Sequence, residues 1–347
     1  MKHDHHFCTW LAMCLATAIP LSSQQPDPPG QVKEGMAVHV AYLFAHMTHQ
    51  DYGKLYYSVS LDGLHWEILN DGRRVFEHYR GHPDICKGHD GRYYLVGNRS
   101  DASPDINFWV SDDLIHWEHH LDYTPDLKKT PGYEHALQRI GAPKLFYDES
   151  TSTYILTWHT PHEEGTREDP ERYWASQRTL YVTTGDMVHF PDTPHRLFPW
   201  DMATIDVVIR KDRDTYYAMV KDERYPTLEW VTGKTIRIGS SQSLLGPYSY
   251  PSDPVSPNFR EAPMLIPSPD NKNWYLYYEQ YPGVSYGLSV ARNLEGPWYQ
   301  VSGYTFHRDW DKYNMPPSVR HGCMIVISRD EYDRLVEHFG QGSGAGQ

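Results

Sequence analysis

A short phrase recurs five times along the chain, and a repeat of this kind sharply limits the folds open to it. It reads LYYSVSLDGLHWEIL from Leu55, NFWVSDDLIHWEHH from Asn107, LYVTTGDMVHFPD from Leu180, IRIGSSQSLLGPYS from Ile236 and GLSVARNLEGPWYQ from Gly287. Each copy is a strand ending in Ser or Thr, a polar turn, and an aromatic or Gly-Pro corner. The corner residues Trp66, Trp117, Phe190, Pro247 and Pro297 fall roughly 50 to 70 residues apart. A period of that size built from short strands alone marks a β-propeller. One small sheet cannot bury both of its faces, and radial packing of several sheets does so around a central channel.

A second phrase precedes each copy. GRYYLVGN starts at Gly91, STYILTWH at Ser152, DTYYAMVKD at Asp214 and NWYLYYEQ at Asn273. Each reads as the second strand of a hairpin, with its first strand just upstream. These first strands are HPDIC from His82, GAPKLFY from Gly141, IDVVIR from Ile205 and EAPMLIP from Glu261, which open blades I to IV. A fifth, RHGCMIVI from Arg320, lacks partners near the C-terminus, while AYLFAHMT from Ala41 is unpartnered near the N-terminus. The chain therefore reads as all-β, a five-bladed β-propeller over residues 35–340 whose N- and C-terminal strands close one blade, blade V. The strand near Met324 is expected to pair with the strand near Phe44, which leaves no exposed edge at the closure. RDEYDRLVEHFG from Arg329 reads as a short terminal helix ending at Gly340.

Outside the propeller, residues 1–24 read as a secretory signal, with Lys2 before an apolar run from Phe7 to Leu21. Residues 25–34 read as a linker and 341–347 as a flexible tail. The expected location is secreted or periplasmic. A lipoprotein fits less well because Met13 is large for the position before Cys14. The apolar run is short for a membrane span. The formal net charge of −13 argues against nucleic acid and anionic membrane surfaces as partners. Cys8 and Cys14 leave with the signal, so Cys86 and Cys323 remain in the first strands of neighbouring blades. They read either as a disulfide or as two free thiols facing different layers.

The first strands also carry the chemistry. Their starts face one rim of the channel and are polar: His82 and Asp84, Lys144, Asp206, Glu261, and Arg320 with His321. Carboxylates on separate blades aimed at one axis suit glycoside hydrolysis, where one protonates the leaving oxygen and another activates water. Read in order, HPDI at His82, GAPK at Gly141, TIDVV at Thr204, EAPM at Glu261 and RHG at Arg320 resemble glycoside hydrolase family 43 and its five-bladed clan of arabinosidases and xylosidases.

That resemblance implies a glycosidase with Glu261 as general acid and Asp206 as the carboxylate that orients it and raises its pKa. A strand-end salt bridge with Arg260 or Arg320 is the plainer reading of Glu261. The family's Asp before Pro is His82 here, with Asp84 two residues on and on the same face of the strand. Asp84 is the expected base, and His82 is the alternative or a contact to substrate hydroxyls. Second-strand ends add sugar-binding candidates: His46, His49, Asn98, His159, Lys221 and Glu279, alongside His82, Lys144, Arg320 and His321. Glu279 is the reserve acid or base. Trp158, Trp200, Trp230 and Tyr281 are candidate sugar-stacking rings. No cofactor is required, although the resemblance places His321 near a possible structural Ca²⁺. The expected substrate is an oligosaccharide or polysaccharide cleaved from its end, because long inserts at 122–139 and 161–179 suggest a partly closed pocket, and the resemblance implies that cleavage proceeds with inversion. The competing readings are an inactive glycan-binding propeller and a propeller phosphorylase or lyase. No P-loop, dinucleotide fingerprint or nucleophile elbow appears in a supporting context.

Overall fold

The computed structural model describes residues 40–100, 102–163, 165–283, 285–302 and 312–340. The signal at 1–24, the linker at 25–34 and the tail at 341–347 lie outside these residues. Five antiparallel sheets make up the described chain. Blade I runs outward from Asp84–Lys87 through Tyr93–Asn98 and Ile106–Ser111 to Glu118–Tyr123. Blade II opens with Gly141–Asp148, blade III with Thr204–Asp212 and blade IV with Arg260–Pro267. Blade V is the closure. Its innermost strand is the C-terminal Val319–Ser328, paired with Val40–Thr48, and Phe44 sits opposite Met324 as expected. Each opening strand touches the opening strands of the blades on either side, so the five form a closed ring about the axis.

The repeat explains the packing. Successive side chains of a strand point to opposite faces. In blade I, Tyr93 and Leu95 pack toward blade V, while Tyr94 and Val96 pack toward blade II. Every sheet thus buries two apolar faces, and five apolar clusters fill the five gaps between blades. The same alternation decides the cysteines. Ile85 faces the blade V side with Cys323, and the next residue, Cys86, faces blade II. Both thiols are free, so the disulfide reading gives way to two thiols in different layers.

The corners are built by local hydrogen bonding. In the first copy the Asp62 carboxylate accepts from the backbone N–H groups of Leu64 and His65 and from the His65 ring, while Ser60 Oγ accepts from Gly63. Asp113 with His116 and Asp186 with His189 repeat this arrangement. A carboxylate that satisfies two backbone donors fixes the turn, which explains why the phrase survives as sequence. Trp66 then packs edge-on against Phe44 of its own sheet and Tyr277 of the adjoining blade IV. Blade III has three strands. The segment at 249–256 runs back along Thr235–Ser241 and donates from Ser249, Ser252 and Val255, but Pro251 and Pro254 lack the donors a regular strand needs.

The terminal helix spans Arg329–Phe339. Ser328 and Glu331 form a capping box, and Leu335 is buried in the gap between blades V and I. No helix among the described residues is long and apolar enough to cross a membrane.

One irregularity positions the site. The opening strands of blades II, III, IV and V each carry a bulge at the channel rim. At each bulge one residue has positive φ: Ala142, Asp206, Ala262 and His321. A bulge bends the strand and re-aims its side chains. Gly322 follows with φ 145°, and a Cβ there would fall on the Ala45 carbonyl oxygen, so only glycine fits beside His321.

Candidate active site

The bulges turn the rim residues of three blades toward one cavity of about 250 Å³ on the axis. Asp206 from blade III, Glu261 from blade IV and Arg320 with His321 from blade V line it, as does His82 from blade I. From the second strands, Lys221 and His159 reach the same space. Trp174, Tyr225, Tyr281 and Tyr52 supply ring walls.

Glu261 is the best-connected group. Its Oε2 accepts from Lys221 Nζ at 2.7 Å. Its Oε1 lies 3.3 Å from Arg320 Nη2 and 3.2 Å from His321 Nε2. Burial pushes this carboxyl up, but Lys221 and His321 outweigh burial and hold it below the usual carboxylate range. The expected upward shift by Asp206 is therefore reversed, because the nearest charges are cations. The plainer reading, a salt bridge with Arg320, is present in the same geometry. Asp206 Oδ2 accepts from the Ala262 N–H at 3.1 Å, which ties it to the residue after Glu261.

The cations are shared. Lys221 also meets Glu223 at 2.9 Å, and Lys234 holds the other oxygen of Glu223. Arg320 Nε donates to Glu279, which is fully buried behind the cavity and also accepts from the His321 N–H at 3.0 Å. Burial alone lowers the His321 pKa, yet Glu279 and Glu261 outweigh it and raise it, favouring the imidazolium. His82 behaves oppositely. Burial and the neighbouring His321 hold it well below its ordinary value, so it is a neutral imidazole. One of its nitrogens meets the Tyr52 hydroxyl, and Nδ1 has no partner among the described residues.

The remaining sequence candidates occupy other places. The blade I strand begins at Asp84, so His82 lies in the bend before it rather than on the strand, and Asp84 lines a small space of about 20 Å³ with Lys144, Arg210 and Cys323. Its Oδ1 meets Lys144 Nζ at 3.3 Å and its Oδ2 accepts from the Leu145 N–H at 2.8 Å. Lys144 also donates to the Gly322 carbonyl. His46 is buried inside blade V and bonded to Ser58 and Met47. His49 is exposed and lines neither the axial cavity nor the space next to it. Asn98 is buried and accepts from the His82 N–H, so it positions His82 from behind. Trp158 and Trp200 pack between blades, Trp230 lies under Arg224 and Arg237, and Tyr281 alone of the four named rings reaches the cavity.

Lys234, Trp174, Tyr225 and Tyr52 are cavity residues that sequence reasoning missed. Trp174 sits on the short helix Pro170–Ala175 of the 161–179 insert, and an aromatic in a pocket-closing insert was the available signal.

Glu261, Glu279 and His321 place one ligand atom each within 4.8 Å of one another. They do not suit Ca²⁺. That ion takes six to eight oxygen ligands. Here the carboxylate oxygens already meet Lys221 and Arg320, and the third donor is a nitrogen with imidazolium character.

Fold and site together define a five-bladed propeller of the glycosidase class, with carboxylates and imidazoles from separate blades converging on an axial pocket. The chain belongs to the glycoside hydrolase 43-related family, described as a probable glycosyl hydrolase domain, whose model matches residues 38–333. This class comprises hydrolases acting on O-glycosyl bonds. No curated protein matches the chain in sequence. Among solved structures, it is similar to an α-L-arabinofuranosidase from Lactobacillus brevis at 15% identity, covering 72% of this chain and 90% of that one, with a TM-score of 0.50. It is also similar to an exo-β-1,3-galactanase from Phanerochaete chrysosporium with β-1,3-galactotriose, at 17% identity, 64% and 50% coverage and a TM-score of 0.48. An arabinanase from Bacillus subtilis gives 13% identity, 64% and 76% coverage and a TM-score of 0.45. At these identities the likeness is one of fold, and the chain spans about half the length of the galactanase.

Proposed function

We propose that this protein hydrolyses glycosidic bonds at the ends of plant or algal oligosaccharides, with inversion. The observation that carries the reading is the convergence of Glu261, Asp206 and His82, from three blades, on one cavity in a chain of this family. Glu261 donates the proton. It is ionised before substrate binds, and His321 supplies the proton across their 3.2 Å contact, leaving a neutral imidazole and a carboxylic acid. The acid then protonates the leaving oxygen. Asp206, fixed by the Ala262 N–H, orients this end of the strand. Of the candidate bases Asp84, His82 and Glu279, His82 is the one that lines the cavity, and its neutral ring can take a proton from the attacking water. Asp84 serves as the counter-ion of Lys144 lower in the channel. The insert helix walls the pocket, which favours a chain end over a continuous strand of sugar. On the strength of residues 1–24 we propose export from the cytoplasm.

One observation favours a second reading, glycan binding without turnover: Glu261 is engaged by three cationic groups, and Asp84 is outside the cavity. A panel of aryl glycosides and plant and algal oligosaccharides tests both, with proton NMR of the first product. Release of single sugars of inverted anomeric form is expected. Internal fragments or a retained anomer would contradict the mechanism, and binding without any product would establish the second reading.

A further inference from the structure

Beside the axial cavity lies a second space of about 400 Å³, sharing Tyr52, His82, His159 and Trp174 with it. Its lining has a distinct charge. Arg139 and Arg167 join the two histidines, and no carboxylate lines it. This contrasts with the axial cavity, where acids and bases are interleaved, and with a chain whose formal net charge is −13. Among the described residues neither guanidinium has an acidic partner. Arg139 is half-buried and its backbone is fixed: its N–H donates to Leu137 and its carbonyl accepts from Thr160 Oγ1 at 2.8 Å. Arg167, an exposed residue of the 161–179 insert, lines the same space. Tyr173 and Trp174 add flat apolar faces.

A half-buried guanidinium without a counter-ion is costly unless a ligand supplies the anion. Its planar fork matches carboxylate and sulfate oxygens two at a time. Aromatic faces beside it suit a sugar ring. We infer that this lobe binds an acidic sugar, one bearing a carboxylate or sulfate ester, held by Arg139 and Arg167 while the adjoining bond lies in the axial cavity. The inference rests on the glycosidase reading for what happens next, but not for the binding itself.

The test uses galacturonate- and glucuronate-containing oligosaccharides with their carboxyl-reduced counterparts, and sulfated algal oligosaccharides with their desulfated counterparts. Affinity is measured by calorimetry on the full chain carrying Glu261→Gln, and turnover on the unsubstituted chain. At least one acidic member should bind about tenfold or more tightly than its neutral counterpart, the scale of one charge-assisted contact. Arg139→Ala with Arg167→Ala should abolish that preference while keeping affinity for the neutral member. Equal affinities across every pair, or a preference that survives both substitutions, overturns the inference. Preferential binding of acidic members with no turnover of any member upholds it and refutes hydrolysis. Turnover of neutral members with no acidic member bound more tightly than its counterpart upholds hydrolysis and refutes the inference. Cleavage that requires added inorganic phosphate and yields a sugar 1-phosphate also overturns it, because the lobe then holds phosphate.

Discussion

Replacing Glu261 by Gln separates the chemical role of this carboxylate from its structural one. The side chain loses its charge against Lys221 at 2.7 Å, His321 at 3.2 Å and Arg320 at 3.3 Å. Removing one partner of a buried ion pair costs about 3–5 kcal/mol when the other is left unpaired. None is left unpaired here. Lys221 keeps Glu223 at 2.9 Å, and Arg320 and His321 keep Glu279. The amide oxygen also still accepts a hydrogen bond. A loss of about 1–3 kcal/mol follows, the range for hydrogen bonds to charged groups. For a domain of this size that is a fall in Tm of about 2–10 °C. The sign of the pH dependence is fixed by the depressed Glu261 pKa. Its contribution is full above the unfolded value of about 4.3 and is lost as pH falls through the lower folded value. The stability gap between unsubstituted protein and variant should therefore narrow on acidification below about pH 4. Circular dichroism melts at several pH values measure it. Turnover of a natural oligosaccharide should fall by about 10²-fold or more, the scale of general acid catalysis, and turnover of a 4-nitrophenyl glycoside by much less. Equal losses on both substrates, or a stability gap that widens in acid, would refute the assignment of Glu261 as proton donor.

Three further outcomes are expected. His82→Ala should lower turnover by about 10²-fold or more at unchanged Tm, whereas Asp84→Asn should leave turnover within about tenfold but destabilise by about 3 kcal/mol, because Lys144 loses its only carboxylate contact among the described residues; the opposite pattern in kinetics and melts would return the base role to Asp84. Gly322→Ala places a Cβ on the Ala45 carbonyl oxygen at φ 145° and should cost about 3 kcal/mol or more, with loss of cooperative unfolding if the closing blade separates. Cys86 and Cys323 have thiols pushed up to about 12 by burial, so both should resist iodoacetamide at neutral pH in the folded protein and both should be alkylated in denatured, unreduced protein, as read by peptide mass.

The ring was legible in the sequence because each corner is a local device. Asp62, Asp113 and Asp186 each satisfy backbone donors two and three residues away, and Trp66 and Trp117 fill the adjacent gap between sheets. Such contacts need only the residues beside them, so the pattern survives as text and counts the blades. The hairpins and the closing pair Phe44 and Met324 followed from the same period. Glu261, Asp206, Arg320 and His321 stood out in the sequence as polar starts of axial strands and Lys221 as a polar second-strand end, and all five line the cavity, whereas Asp84 and Lys144, equally polar starts, pair with each other outside it.

What the tertiary structure alone decided was level and partner. The bulges at Ala142, Asp206, Ala262 and His321 set which residue of those four strands reaches the rim, while at the regularly paired opening strand of blade I it is His82 that lines the cavity and Asp84 that stands beside Lys144. Residues two apart share a face, so the sequence alone could not say which of them stands at the height of the substrate. The downward shift of Glu261 required Lys221 and His321 to arrive from two other blades, within hydrogen-bonding distance of a single carboxylate. The basic lobe depends on Arg139 and Arg167 meeting across the insert, 28 positions apart in the chain. Strand alternation and turn chemistry act over a few residues and can be read along the chain, whereas electrostatics at the axis sums over all five blades and exists only once the ring has closed.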